Sequence, residues 1–178
     1  MENVDLSEFF ITKDQMQNFI DGLSAISEGV YEKDFNIEVF LNRHLGILKG
    51  SKFLSYLKDK SVNPSDTQGI KLFIDKFIQD VSTLPQVAIT IAFEPEDSLL
   101  HNLSDWFLTN IKRQAVFDIK IDKSIVAGVI IFYNGKYFDY TVKKIFQNIK
   151  IDIPTNKPNV PSAPAQSHPT PENIIIAQ

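Results

Sequence analysis

Residues 117–149 carry three local signals that together restrict the fold more than any other part of the chain. In residues 117–122, apolar and charged side chains alternate, as in a strand with one solvent-exposed face. Asn134 and Gly135 then separate two β-rich runs, which is the strongest short signal for a β-hairpin. After Asp139 the apolar residues follow a helical period. The stretch therefore predicts a strand, a hairpin and a closing helix, and it contains no candidate catalytic group.

The first half of the chain has helical periodicity. Thr12 and Gln15 match a capping box at the start of a first helix. A second helix is predicted to end at Gly50, and a short third helix follows it. Asn63 and the proline after it predict the start of a fourth helix. We expect residues 1–84 to form a helical bundle.

The order of elements predicted for residues 85–152 is strand, helix, strand, strand, helix. Acidic side chains around Glu96 mark the start of the first of these helices. Its expected buried face consists of Leu99, Leu100, Leu103, Trp106, Phe107 and Ile111. Because residues 129–132 are apolar on both faces, we expect this strand to lie between the other two, as in a split βαβ sheet.

From residue 153 onward the composition changes, since prolines recur among small and polar residues. We expect a disordered Pro-rich tail over residues 153–178. Its apolar triplet, residues 174–176, is either a stray feature of a disordered terminus or a short segment that docks on a partner's sheet edge. The predicted fold class is α+β, with an N-terminal helical bundle, a small βαββα domain and this tail.

Composition and charge argue against several classes of function. The net charge of −4, with scattered basic residues, argues against a nucleic-acid-binding protein. The absence of cysteine excludes a disulfide framework, thiolate metal ligands and a Cys nucleophile. No apolar run reaches the ~18 residues of a transmembrane helix, and the acidic N-terminus does not match a targeting peptide. A cytosolic bacterial protein is the simplest interpretation.

Candidate chemical sites fail on spacing or on the number of ligands. Residues 46–52 superficially resemble a phosphate loop, but they follow a helix, and their Lys and Ser are in the wrong order. His101 shares a predicted helix face with Asp97 and Asp105, whereas a zinc or iron site of this kind normally has at least two imidazole ligands. We therefore predict no catalytic residue, no cofactor and no metal.

Residues 121–128, with the sequence IDKSIVAG, resemble the signature of the F-type ATP synthase delta subunit family, whose mitochondrial counterpart is the oligomycin sensitivity conferral protein. The family pattern is roughly V-D-P-S-L-I-G-G, then a hydrophobic strand, a turn with glycine, D-x-S-V-R and a helix. The resemblance covers residues 70–149, with departures from the pattern at Lys123, Ala127, Thr141 and Lys143. The matching motif positions are Asp122, Ser124, Gly128, Gly135, Asp139, Thr141 and Val142.

The resemblance implies a non-catalytic stator subunit in the peripheral stalk of ATP synthase. In this family the helical N-terminal domain binds N-terminal helices of alpha subunits, and the C-terminal domain binds the end of the b-type stalk. The motif residues are then structural, and Gly128 permits close approach of two backbone segments in the sheet. The chain would lie on the cytoplasmic side of the bacterial cell membrane, held there only through the complex.

A groove for a partner helix is expected on the predicted bundle. Its candidate residues are Phe19, Ile20, Leu23, Phe73 and Phe77, each of which is also a candidate for the core. Two other functions are open at this point. One is a generic protein-interaction or small-ligand regulatory domain with a split βαβ sheet. The other, a small hydrolase or transferase, is disfavoured because no catalytic constellation occurs, and the fold alone does not decide between them.

Overall fold

The structure is a computed structural model that describes residues 5–148. The predicted tail, and Ile149 at the end of the predicted last helix, lie outside the described residues. A 3₁₀ turn, Leu6–Glu8, precedes four helices: α1 (Lys13–Gly29), α2 (Ile37–Leu45), α3 (Ile47–Asp59) and α4 (Thr67–Ser82). The elements that follow are β1 (Gln86–Ile91), α5 (Asp97–Ile111), β2 (Val116–Ile121), β3 (Val129–Tyr133), β4 (Lys136–Asp139) and α6 (Val142–Asn148). The predicted α+β class is confirmed.

The capping box at the start of α1 is confirmed. The Thr12 hydroxyl accepts a hydrogen bond from the Gln15 backbone N–H at 3.3 Å, and the Gln15 side chain accepts one from the Thr12 N–H at 3.2 Å. Gln15 also accepts a bond from the N–H of Ile11 at 2.8 Å. Three backbone groups at the helix entry are thereby satisfied.

The second and third helices divide at Gly46, so the predicted end of the second helix at Gly50 is wrong. Gly46 has φ +79°, a left-handed conformation that breaks the α2 helix. Gly50 lies inside α3 and is buried. It packs so closely on α2 that a Cβ at this position would lie 3.0 Å from the Leu41 carbonyl oxygen. Leu48, which the predicted second helix would include, is 79% exposed at the start of α3.

The fourth helix begins three residues later than the predicted start at Asn63 and Pro64. Asp66 is the N-cap of α4, and its carboxylate accepts a hydrogen bond from the Gly69 N–H at 3.0 Å. Asn63 instead closes a turn, since its carbonyl accepts a bond from the Asp66 N–H at 3.0 Å. Asn and Asp are favoured both in turns and at helix N-caps. Here Asn63 lies in the turn and Asp66 is the N-cap.

The sheet order is β2-β1-β3-β4, which contradicts the predicted separation of the first two strands. β1 pairs directly and in parallel with β2, with Ile89 opposite Ile119. β3 is internal as predicted, but its neighbours are β1 and the additional hairpin strand β4. The physical reason is that β1 buries every side chain of its α5-facing side and so takes the central place.

The predicted hairpin is confirmed as the β3–β4 connection. Asn134 and Gly135 have φ of +53° and +75°, and Tyr133 pairs with Lys136 across the turn. Positive φ at both central positions is the geometry of a type I′ turn, which suits the twist of the two strands.

Helix α5 starts as predicted, with Glu96 at its N-cap, but its expected buried face is only partly covered. Leu100 and Phe107 are buried, whereas Leu99, Trp106 and Ile111 are exposed.

The helices and the sheet touch through the segment before α1. The Ile11 carbonyl accepts a hydrogen bond from the Phe117 N–H at 3.0 Å, and Lys13 forms an ion pair with Asp118 at 3.3 Å. Residues 1–148 form one compact unit with two apolar clusters, one among the helices and one between α5 and the sheet. The proposed domain boundaries at residues 84/85 and 152/153 stay predictions.

Candidate interaction surfaces

The motif residues at the end of β2 form a turn. The Asp122 carboxylate accepts a hydrogen bond from the Ser124 N–H at 2.9 Å, and the Asp122 N–H donates to the Ile91 carbonyl at 2.8 Å. Hydrogen bonds from the side chain and backbone of Ser124 lower the pKa of Asp122. The carboxylate is thereby used to fix a chain reversal beside β1, a structural role.

Gly128 brings two backbone segments into contact. It has φ +103°, and a Cβ at this position would collide with the Tyr140 carbonyl oxygen and lie 2.7 Å from the Thr141 Cα. The Val142 N–H donates to the Ala127 carbonyl at 3.0 Å just beside it. The position therefore requires glycine for both its conformation and its surroundings.

A local cap joins β4 to α6. The Asp139 carboxylate accepts hydrogen bonds from the Thr141 N–H at 2.9 Å and from the Thr141 hydroxyl at 2.7 Å. The Thr141 hydroxyl in turn accepts a bond from the Lys144 N–H at 3.3 Å, as an N-cap does. These bonds from Thr141 lower the pKa of Asp139, and Val142 is half-buried behind the cap. The motif residues build turns and a cap, and they form no catalytic cleft.

An apolar groove lies between α5 and the β3–β4 hairpin, and we call it the α5 groove. Its volume is about 550 Å³. Helix α5 contributes Leu103, Trp106, Phe107 and Ile111. The strand side, which ends just beyond β4, contributes Ile131, Tyr133, Phe138 and Tyr140. None of these eight side chains is charged, and Trp106 and Tyr140 are 54% and 55% exposed, so the groove is an open surface suited to an apolar partner.

Aromatic contacts hold side chains on both walls of the α5 groove. The Phe107 ring packs edge-on against Tyr133 with centroids 5.7 Å apart and against Phe117 at 5.3 Å. Phe138 and Tyr140 stack with parallel rings at 6.4 Å along the β4 side. Fixed aromatic side chains cost little conformational entropy on binding, which favours their use as anchors.

The five residues predicted to form a groove on the bundle do not share one free surface. Phe19, Leu23 and Phe77 are buried in the bundle core, whereas Ile20 and Phe73 are half-buried at its edge. Only the last two are therefore accessible to a partner in the isolated chain.

Ile20 and Phe73 also lie on different flanks of α4. The Phe73 ring packs beside Tyr56 of α3 at 5.7 Å. Ile20 belongs instead to the side of α1 that holds Ser27, seven residues later, and this side faces α4. The groove as predicted thus splits into an α3–α4 flank and an α1–α4 flank.

The α1–α4 flank is held by a polar network. The Ser27 hydroxyl donates to the Asp75 carboxylate at 2.7 Å and accepts from the Lys71 ammonium at 3.0 Å. Lys71 and Asp75 also form an ion pair at 3.1 Å. The hydrogen bond from Ser27 is the main reason that the pKa of Asp75 is lowered. Ile20 and Ile78, both half-buried, extend this flank with apolar surface.

The sequence pattern does not predict the α5 groove as a surface, since it places Trp106 and Ile111 on the buried face of α5. The signal that the sequence does offer is the position of Phe138 and Tyr140 on either side of Asp139 at the end of a hairpin strand. Such alternation predicts one apolar face but leaves open whether anything covers it.

The two candidate sites considered for a phosphate group and for a metal ion lie in helical segments. Residues 46–52 span the junction of α2 and α3. Asp97, His101 and Asp105 lie along α5. Within residues 5–148, no group of three His, Cys, Asp or Glu side chains is arranged to hold a metal ion. No helix in this part of the chain is long and apolar enough to cross a membrane.

Comparison with known proteins identifies related sequences. The family model for the ATP synthase delta (OSCP) subunit matches residues 51–153, more than half of the chain. The chain is 30% identical over 116 residues to the ATP synthase subunit delta of Fervidobacterium nodosum, covering 65% of this chain and 58% of the relative. It is 36% identical over 63 residues to the same subunit of Pseudothermotoga lettingae, covering 35% of each.

A third relative, the ATP synthase subunit delta of Malacoplasma penetrans, is 24% identical over 148 residues, covering 80% of this chain and 78% of the relative. The chain spans little more than half of the length of the first relative and about a third of the second.

Proposed function

Because the chain belongs to the ATP synthase delta (OSCP) subunit family, we propose that it is a non-catalytic peripheral-stalk subunit of an F-type ATP synthase. It joins the catalytic head to the b-type stalk and resists the torque of the rotor, so that rotation drives ATP synthesis. The observation that carries this proposal is the family match over residues 51–153, which takes in α4, the whole sheet and every motif residue.

The geometry of the motif supports a structural role. Asp122 and Asp139 each accept hydrogen bonds from a neighbour two residues away, and so they fix the local backbone. Gly128 lets two backbone segments touch. A stator needs a rigid body with surfaces for two partners, and it needs no nucleophile or metal. The chain would be peripheral, on the cytoplasmic side of a bacterial membrane, and would meet the membrane only through the complex.

The head partner is proposed to be the N-terminal helices of alpha subunits, bound on the α1–α4 flank. Ile20 and Ile78 offer half-buried apolar contacts there, beside the polar network of Ser27, Lys71 and Asp75. A partner helix with an apolar stripe can pack along such a flank. The buried side chains of Phe19, Leu23 and Phe77 belong to the core against which Ile20 and Ile78 pack.

The stalk partner is proposed to be the end of the b-type stalk, bound in the α5 groove. An amphipathic helix inserts apolar side chains at i, i+3, i+4 and i+7 into a groove of this kind. Trp106 is the expected anchor, since a half-exposed Trp beside fixed aromatic rings is typical of binding hot spots.

Isothermal titration calorimetry with two peptides, one from the alpha-subunit N-terminus and one from the stalk end, tests the proposal. Ile20→Ser should weaken binding of the alpha peptide, whereas Leu72→Ser, on the outer face of α4, should not. Trp106→Ala should weaken binding of the stalk peptide by roughly tenfold or more, as for a typical aromatic hot spot. Leu108→Ala, also exposed on α5 but outside the groove, should leave it unchanged. Absence of binding by either peptide would overturn the proposal.

A further inference from the structure

We infer that the helix bound in the α5 groove lies with its C-terminal end beside Lys112, Arg113 and Lys136, and that these side chains recognise its terminal carboxylate. We call these three residues the basic end of the groove, and all three are exposed. Residues 106–117 and 123–138, which carry most of the groove lining, contain no acidic residue. The inference rests on the proposed function, because the helix in question is the end of the b-type stalk.

The topology of the sheet places the end of α5 and the β3–β4 hairpin at the same end of the sheet. β3 runs antiparallel to β1 and finishes where β1 begins, since Phe132 lies opposite Ala88. After α5 the chain returns to the start of β2, where Val116 pairs with Gln86, the first residue of β1. The C-terminal end of α5 and the hairpin are therefore neighbours in space.

Contacts within the groove agree with this placement. Phe107 of α5 contacts Tyr133, the last residue of β3, with ring centroids 5.7 Å apart. Ile111, one helical turn after Phe107, also lines the groove. Lys112 and Arg113 follow Ile111 directly, so two positive charges lie where α5 leaves the groove.

The third cation comes from the hairpin. Lys136 pairs with Tyr133 across the turn, and side chains directly opposite on antiparallel strands lie on the same face. Phe138, two residues after Lys136 on the same strand, lines the groove as well. Lys136 therefore lies on the groove face of the hairpin. Among residues 5–148, no carboxylate forms an ion pair with any cation of the basic end.

The length of the α5 groove limits how much of a partner helix it holds. Its lining on α5 runs from Leu103 to Ile111, which corresponds to about 12 Å of helix. This is roughly two turns, so the groove accommodates one short apolar stripe of a partner. The last turn of a helix that ends here then meets the basic end.

Charge decides which end of the partner helix lies there. The C-terminal end of a helix carries about half a negative elementary charge, and a terminal carboxylate adds a full one. Helix α5 places its own negative end at the same position, but this again amounts to only about half a charge. Its Trp106 carbonyl already accepts a hydrogen bond from the Asn110 side chain at 2.8 Å. Three positive charges outweigh this contribution, so the partner helix is predicted to lie parallel to α5.

A double-mutant cycle tests the contact with the terminal carboxylate. The stalk peptide is prepared with a free C-terminal carboxylate and with a C-terminal amide, and both forms are titrated at about 50 mM NaCl, where screening is weak. Amidation should weaken binding to the unaltered chain by about three- to fivefold, as for an exposed charge pair. In Arg113→Gln/Lys136→Gln the effect of amidation should fall below about twofold. Lys112 is retained because its φ of +56° belongs to the end of α5.

The matched control removes two positive charges elsewhere. Lys120 and Lys123 are exposed at the far end of β2 and in the turn that follows it. Lys120→Gln/Lys123→Gln should retain the full effect of amidation, because these residues lie away from the hairpin. An equal effect of amidation in the unaltered chain and in both variants would show that net charge alone is responsible, and would overturn the inference.

The direction of the bound helix is measured separately on the unaltered chain. Arg43 and Arg113 are the two arginines of the sequence, so their side-chain N–H signals in NMR spectra are easily assigned. A nitroxide label near the C-terminus of the stalk peptide should broaden the Arg113 signal more than a label at its N-terminus. Arg43, which packs over the Phe40 ring at 5.3 Å in the helical bundle, is the internal control. The reverse order of broadening at Arg113 would overturn the inference.

The outcomes separate the inference from the proposed function. If the stalk peptide binds the unaltered chain and amidation leaves its affinity unchanged, the inference fails and the proposed function stands. If neither form of the peptide binds, the proposed function fails, and the inference fails with it. Binding that depends on the free carboxylate and on Arg113 and Lys136 supports both.

Discussion

Replacing Gly128 with alanine is the perturbation with the most sharply defined expected effect. The φ of +103° lies outside the conformations that an alanine adopts without strain, which costs about 1–3 kcal/mol. The added Cβ would also collide with the Tyr140 carbonyl oxygen and lie 2.7 Å from the Thr141 Cα. Both are backbone atoms, so no side-chain rotation can relieve the contact.

Relief of the collision requires the backbone around residue 140 to move, and two hydrogen bonds resist this movement. The Tyr140 N–H donates to the Val129 carbonyl at 2.9 Å, and the Val142 N–H donates to the Ala127 carbonyl at 3.0 Å. Each contributes about 1 kcal/mol to stability. Together with the strain, Gly128→Ala should lower the free energy of unfolding by about 3–5 kcal/mol.

Gly135→Ala is the matched control for this variant. Gly135 also has a positive φ, of +75°, but a Cβ there would meet nothing within 4 Å. It should therefore show only the conformational cost, of about 1 kcal/mol. Thermal and urea unfolding followed by circular dichroism measure both variants, and the Gly128 variant should lose roughly 10 °C in Tm. Equal, small losses in the two variants would refute the close contact at Gly128, and Gly128→Val, being bulkier, should be at least as damaging.

Three further predictions concern the interior and the caps. Phe53→Ala should cost about 3–5 kcal/mol on unfolding, because the Phe53 ring is fully buried among aromatic neighbours; a loss below about 1 kcal/mol would contradict this packing. Thr141→Val should cost about 1–2 kcal/mol in the same assay, because it removes the hydroxyl that donates a hydrogen bond to the Asp139 carboxylate and caps α6; an unchanged Tm would argue against the cap. The carboxylate of Asp75 stabilises the fold above its unfolded pKa, and this contribution is lost as the pH falls through the lowered folded pKa. Ser27→Ala should therefore flatten the dependence of Tm on pH between about pH 5 and pH 3, and parallel curves for the two proteins would contradict the assignment.

Features set by local backbone chemistry were predictable from the sequence. The hairpin at Asn134 and Gly135 requires positive φ at both positions, which few other residue pairs supply. The capping box of Thr12 and Gln15 depends on residues three apart. The motif of Asp122, Ser124, Gly128 and Asp139 followed from resemblance, and its hydrogen bonds are likewise local.

Features set by contacts between distant parts of the chain were not predictable in this way. The direct pairing of β1 with β2 depends on how α5 crosses over, which no single strand encodes. Gly46 and Gly50 look alike in the sequence, but only the tertiary contact with Leu41 distinguishes a buried helical glycine from a helix break. The exposure of Trp106 depends on which elements pack against α5, and a helical pattern alone does not encode this.

The central claim is that this subunit joins two partners at once, and a single measurement tests it most directly. The full chain is mixed with the alpha-subunit N-terminal peptide and the C-terminal fragment of the b-type stalk, and the molar mass of the complex is measured by size-exclusion chromatography with light scattering. The account predicts one complex that contains all three components. A complex in which either partner excludes the other, or the absence of any complex, would contradict it.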